Sequence, residues 1–163
     1  DFNEFSCVGH FLNEAGCDII VGQRSVRLIS DGKLHAVSPV KTGPYPGFPT
    51  DAQPLLMAAL LKADGKTEFT ENIFDSRYCH ALELSRFGAD ISVSGRDAVL
   101  WGVRSLHGAT VTATDLRGGA AMLIAGLSAE GKTELVDTGH ITRGYENFDY
   151  KLRSLGADVY MEI

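Results

Sequence analysis

The chain repeats itself, and each copy carries an Asp and an Arg in the same slot. One copy runs through Thr50-Asp51, an apolar stretch, Asp64-Gly65-Lys66-Thr67, Arg77 and Leu84-Ser85-Arg86-Phe87-Gly88-Ala89-Asp90. The other runs through Thr114-Asp115, Glu130-Gly131-Lys132-Thr133, Arg143 and Leu152-Arg153-Ser154-Leu155-Gly156-Ala157-Asp158. Asp51 and Asp115 lie 64 positions apart and Arg77 and Arg143 lie 66 apart, so the copies drift by only a gap or two. A partial third copy, Leu12-Asn13-Glu14-Ala15-Gly16-Cys17-Asp18, opens the chain. A period this long, with helix and strand patterns inside each copy, describes an αβ module repeated about a pseudo-symmetry axis. One domain of related parts is expected.

With 163 residues, 44% of them apolar, the chain can fill one ordinary core. A net charge of -6 argues against a nucleic-acid or anionic-membrane surface, since either needs a concentrated basic face. An anionic ligand would therefore meet local arginines. No apolar run reaches the roughly 20 residues of a membrane span, and no basic, apolar leader pattern opens the sequence, which predicts a cytoplasmic protein. Cys7, Cys17 and Cys79 are odd in number and form no C-x-x-C pair, so they are read as reduced and mostly buried thiols, with no metal site and no cofactor expected.

Apolar spacing predicts a helix over Phe5 to Leu12 that stops at Gly16. Asp18 to Val21 with Val26 to Ile29, and Ile91 to Val93 with Val99 to Trp101, read as hairpins. Pro54 to Leu61 and Ala120 to Leu127 are apolar on nearly every side and read as buried helices. Thr67 to Thr70 and Thr133 to Val136 alternate as strands do, and Tyr78 to Phe87 and Tyr145 to Leu155 have helical spacing with polar faces. Each full unit reads βαβαββ. Residues 1–163 are thus one partial domain, with one truncated and two nearly complete units. On equal repeat lengths about 40 residues of the first unit are expected to lie upstream of this sequence, and the third stops one strand short.

Three stretches could carry chemistry. Gly43-Pro44-Tyr45-Pro46-Gly47-Phe48-Pro49-Thr50-Asp51 is stiffened by three prolines and ends in a Thr or Asp helix cap, in an Asp51 carboxylate that faces a cleft as a general base or holds a hydroxyl, or in both. Ile73-Phe74-Asp75-Ser76-Arg77 and His140-Ile141-Thr142-Arg143 each put an Arg where a strand hands over to a helix, a place that favours anions. A lone Arg there could equally pair with a neighbouring carboxylate, but two at matching slots favour function. His80 and His140 have no metal-like partner at helical spacing and read as structural. The third stretch, Gly126-Leu127-Ser128-Ala129-Glu130-Gly131-Lys132-Thr133, fits the phosphate-loop pattern in its letters alone. A helix precedes it and a strand follows, the reverse of what wraps a phosphate.

At these residues the sequence resembles the bacterial UDP-N-acetylglucosamine enolpyruvyl transferases, or 1-carboxyvinyltransferases. The likeness is carried by Pro44 through Gln53, by Asp115-Leu116-Arg117-Gly118-Gly119-Ala120-Ala121, and by Arg143-Gly144-Tyr145-Glu146 with Lys151 through Ala157. It implies the C-terminal portion of such an enzyme: an α/β fold of repeated βαβαββ units in an inside-out α/β barrel, helices inside and sheets outside. It also implies transfer of an enolpyruvyl group from phosphoenolpyruvate to the 3′-hydroxyl of UDP-N-acetylglucosamine, the first committed step of peptidoglycan synthesis. By position, Asp51 is the candidate base that binds the 3′-hydroxyl, Ile73 a backbone contact to the nucleotide sugar, and Arg143 a phosphoenolpyruvate ligand. Asp115 and Arg117 match residues near the reacting centre, and Arg77 another cleft arginine. Thr142 stands where the family usually has Asp, and Asp75-Ser76 where it has Glu-Asn. The residue that protonates phosphoenolpyruvate belongs to the family's other domain, so no cysteine here is expected to be catalytic and this chain alone is expected to be inactive. The rival readings are a shikimate-type enolpyruvyl transferase and a non-catalytic scaffold of the same fold.

Overall fold

Apolar residues at helical and strand spacing sort into five helices and eight strands among residues 2–162, which the computed structural model describes. Helix α1 (Phe2–Glu14) leads into an antiparallel hairpin of β1 (Asp18–Val21) and β2 (Val26–Ile29). The change of direction falls on Gly16, whose φ of 101° suits a residue without Cβ. A complete unit follows: β3 (Val40–Lys41), α2 (Gln53–Ala59), β4 (Lys66–Thr70), α3 (Cys79–Ser85), β5 (Asp90–Ser94) and β6 (Asp97–Trp101). Its strands form one sheet in the order β3-β4-β6-β5, with β3 parallel to β4 and the other pairs antiparallel. The next copy supplies β7 (Thr110–Thr112), α4 (Leu116–Ser128), β8 (Glu134–Val136), parallel to β7, and α5 (Phe148–Ser154).

The chain is therefore α/β, and the helices and hairpins fall where periodicity put them. The third copy departs from expectation after α5. Residues 155–162 form no strand, because no neighbouring strand among the described residues offers them a hydrogen-bond ladder. The cysteines also differ from the reading of mostly buried thiols. Only Cys17 is buried, Cys7 is half-buried, and Cys79 is exposed where α3 begins.

Packing explains why the two apolar helices need no polar face. Pro54 occupies the first turn of α2, where its missing N–H costs nothing, and Leu56, Met57, Leu60 and Leu61 are buried. α4 presents Gly118, Gly119, Ala120, Ala121 and Ala125, small enough for α2 and α3 to approach it closely. A Cβ on Gly119 would lie 2.6 Å from Ile141 Cγ1, so this glycine seats the segment that carries Arg143. Phe69, Leu84, Phe87, Leu100 and Met122 close the core.

The proline-rich loop is fixed at its root. Gly43 N–H donates to the Phe48 carbonyl at 2.9 Å, and Gly47 N–H to the Pro44 carbonyl at 2.7 Å. Phe48 is buried and meets the Phe11 ring edge-on, with centroids 5.3 Å apart, while Tyr45 points to solvent. A buried aromatic of this kind is worth about 3 kcal/mol or more. Phe48→Ala should lower unfolding free energy by about that amount in urea titrations; a loss under about 0.5 kcal/mol would show that the loop is held by other means.

Candidate active site

Parallel strands joined through helices bring their strand-to-helix turns to one edge of a sheet, where αβ folds assemble sites. All six residues singled out from the sequence lie on such turns. Asp51 lies between β3 and α2, Ile73 and Arg77 between β4 and α3, Asp115 and Arg117 where β7 gives way to α4, and Arg143 between β8 and α5.

Three of them meet directly. Asp51 accepts a hydrogen bond from Arg77 Nη2 on Oδ1 at 2.9 Å and one from Arg117 Nη2 on Oδ2 at 3.2 Å. The carboxylate is more than half exposed, whereas Arg77 is 18% exposed. Asp51 thus links the two arginines across the boundary between repeats. The capping alternative for Thr50 or Asp51 fails: Ala52 occupies the cap of α2, and no side chain bonds to the free N–H groups there. Long-range arginines have claimed the Asp51 carboxylate, and Thr50 Oγ1 donates to Glu71 Oε2 at 2.9 Å.

Its repeat partner behaves differently. Asp115 caps α4, accepting from Arg117 N–H at 2.8 Å and Gly118 N–H at 2.9 Å on one oxygen. Burial works against its ionisation, but those N–H groups and the nearby Arg77 guanidinium outweigh it and hold the carboxyl below the usual range. Asp115 therefore fixes the start of α4 and, with it, Arg117.

Arg143 is exposed and makes no hydrogen bond or ion pair with any described residue. The structure does not join it to Asp51. Its loop is nevertheless firmly seated: a Cβ on Gly144 would lie 2.6 Å from Leu116 Cδ1, and Tyr145 OH bonds Arg117 Nη1 at 2.7 Å. The Arg117 guanidinium also lies over the Tyr145 ring, 5.7 Å from its centroid, and Arg77 lies over Phe74 at 5.6 Å. The Tyr145 hydroxyl is the largest cause that raises the Arg117 pKa.

Tyr145, Glu71 and Asp137 support this site without having been singled out from the sequence. Glu71 is 1% exposed, and its Oε1 accepts from Ile73 N–H at 2.8 Å and Phe74 N–H at 3.1 Å. No described residue hydrogen-bonds the Ile73 carbonyl. Asp137 fills the same slot one repeat later, accepting from the N–H groups of His140, Ile141 and Thr142. Burial pushes the Asp137 pKa up, but these backbone donors together take it below the usual carboxylate range. The repeat offered a signal for both, since each acid directly follows a strand and precedes an Arg by six positions.

Beneath the site, His80 is fully buried, and neither ring nitrogen makes a hydrogen bond. Burial pushes its pKa down to about 4, although the Asp115 carboxylate pulls the other way. In the unfolded chain a histidine titrates near 6.5. Between those values the unfolded state holds more protons, so stability falls as pH drops through that window, by up to about 3 kcal/mol. His80→Leu should flatten this part of the stability profile when urea unfolding is followed at pH 7 and pH 4.5. An unchanged slope would remove His80 as its source. Among the described residues no cluster of three or more His, Cys, Asp or Glu could hold a metal, and no helix is long and apolar enough to cross a membrane.

Comparison with known proteins bears on the same edge. The chain is 47% identical over 148 residues to the UDP-N-acetylglucosamine 1-carboxyvinyltransferase 2 of Caldanaerobacter subterraneus subsp. tengcongensis, covering 91% of this chain and 36% of that protein. It is 50% identical over 150 residues to the protein of the same name from Carboxydothermus hydrogenoformans, with the same coverage. The chain therefore spans little more than a third of the length of these relatives. The enolpyruvyl transferase NikO from Streptomyces tendae superposes with a TM-score of 0.85 at 29% identity, over 94% of this chain and 35% of that one. An EPSP synthase from Acinetobacter baumannii shares the fold with a TM-score of 0.73 at 18% identity, over 98% of this chain and 38% of that one. A family model described as EPSP synthase (3-phosphoshikimate 1-carboxyvinyltransferase) matches residues 3–152, and the chain belongs to that family.

Proposed function

We propose that this chain is one portion of a longer transferase that moves the enolpyruvyl group of phosphoenolpyruvate onto the 3′-hydroxyl of UDP-N-acetylglucosamine and releases phosphate. The observation that carries this reading is Asp51, a solvent-facing carboxylate with one arginine on each oxygen, at the edge where the strand-to-helix turns converge. Seven relatives named for that activity are 44% to 50% identical to the chain, while two EPSP synthase structures from Acinetobacter baumannii are 18% and 19% identical. That contrast favours the UDP-N-acetylglucosamine acceptor over shikimate-type chemistry, and the cluster of arginines favours a site over a scaffold.

In this reading Asp51 takes the proton of the acceptor hydroxyl, whose oxygen then bonds to the central carbon of phosphoenolpyruvate while its methylene carbon gains a proton from a group outside this chain. Loss of a proton from that carbon and departure of phosphate restore the double bond. Arg77 and Arg117 offset the donor's negative charge as Asp51 turns from them to the hydroxyl, and Arg143, unpartnered here, binds the same donor. The Ile73 carbonyl contacts the nucleotide sugar, and Asp115 holds Arg117 at the reacting centre. Residues 1–163 form a single partial domain of an inside-out barrel, with α2, α3 and α4 as its inner layer. The remaining portion of the enzyme is its partner. The product serves peptidoglycan synthesis in the cytoplasm, and through it cell shape and division.

Binding is testable without turnover. Titration of the chain with UDP-N-acetylglucosamine, followed by heteronuclear NMR, should give saturable shifts around Asp51 and Ile73. Asp51→Ala should weaken binding at least about tenfold, the scale of a lost charge-assisted bond. Exposed ion pairs contribute little to folding, so the same substitution should change stability by no more than about 1 kcal/mol. Equal affinity in the variant would overturn the role of Asp51.

A further inference from the structure

We propose that Glu71 is a positioning residue that fixes Asp51 relative to Ile73, and so sets the geometry with which the acceptor sugar is held. The inference rests on the acceptor reading above. Glu71 is buried between two loops and serves both: Oε1 takes the N–H groups of Ile73 and Phe74, and Oε2 takes the hydroxyl of Thr50, the residue before Asp51. Its own backbone is pinned to Arg96, whose carbonyl accepts Glu71 N–H at 2.8 Å and whose Nη1 donates to the Glu71 carbonyl at 3.4 Å. A second tie runs alongside, from Asn72 N–H to Thr42 Oγ1 at 2.8 Å and from Asn72 Nδ2 to the Thr42 carbonyl at 3.0 Å. The loop ending in Asp51 and the loop beginning at Ile73 are therefore tied to one another at two points.

The repeat supplies an internal control. Asp137 occupies the equivalent slot and accepts only N–H groups of its own loop, reaching no other. Local bracing thus needs only the shorter side chain. The extra methylene of Glu71 is what carries its carboxylate across to Thr50. A carboxylate removed from water requires such donors, and a residue serving stability alone could have been apolar.

Three variants separate the roles. Glu71→Asp keeps the local acceptor and withdraws it from Thr50, Thr50→Val removes only the cross-loop donor, and Glu71→Gln weakens both. Glu71→Asp and Thr50→Val should keep the Ile73 and Phe74 amide protons shifted downfield and slow to exchange, yet bind UDP-N-acetylglucosamine about tenfold more weakly. Glu71→Gln should lose both the amide signature and the affinity. Affinities within about twofold of wild type in Glu71→Asp and Thr50→Val would overturn the proposal. Should the wild-type chain not bind the nucleotide sugar, a preformed acceptor site on this portion alone is refuted on its own account. The positioning is then judged without ligand, by residual dipolar couplings of the Asp51 and Ile73 amides. Couplings that change in Thr50→Val support the brace, and couplings identical to wild type refute it.

Discussion

Parallel pairing of β3 with β4 and of β7 with β8 is the constraint from which the rest of the structure follows. A parallel pair needs a crossover, and here the crossovers are α2 and α4, two helices so apolar that they must be buried. Burying them against each other requires small residues on α4, which Gly118, Gly119 and the alanines provide. Once they pack, the turns that enter α2, α3, α4 and α5 lie along one edge. Residues from different repeats can then meet, as Asp51 and Arg117 do across 66 positions of sequence.

The electrostatics at that edge are arranged by depth. Arg77 and Arg117 have mostly buried stems, braced by aromatic rings, while the carboxylate they share is open to water. An exposed acid contributes little to folding but stays available for exchange with an incoming group. The deeper acids, Glu71, Asp115 and Asp137, are each tied to backbone N–H groups and so hold the main chain in place. Side chains of one chemical type are divided between facing solvent and holding a loop by what surrounds them.

Much of this was legible in the sequence, because periodicity and glycine stops reported the helices and hairpins directly. The strands β3 and β7, of two and three residues, left no readable pattern, since so short a segment shows neither alternation nor a bounded run. Asp51 and Asp115 look alike in sequence, each following Thr and preceding an apolar helix. Their fates differ because Arg77 and Arg117 reach one carboxylate, while a helix N-terminus takes the other. Which partner wins is decided by contacts far apart in the chain, and local residue order does not contain them. The role of Tyr145 is hidden for the same reason: it lies in a bond to Arg117, 28 positions away.

The duplication itself has a consequence at the first turns of α2 and α4. Arg117 sits two residues past Asp115, and Gln53 sits two residues past Asp51, in the matching slot. Gln53 is fully buried, its amide nitrogen spent on Met57 Sδ at 3.9 Å, whereas Arg117 extends to Tyr145 and Asp51. Likewise Tyr145 corresponds to Cys79, which is too short to brace an arginine. The two copies offer the same scaffold twice but no longer the same contacts: Asp51 and Arg77 come from one repeat, and Arg117, the second guanidinium on Asp51, comes from the other. Separating the two repeats would leave Asp51 with Arg77 alone and would strip Arg117 of its carboxylate, so the three-residue cluster exists only where both copies are joined.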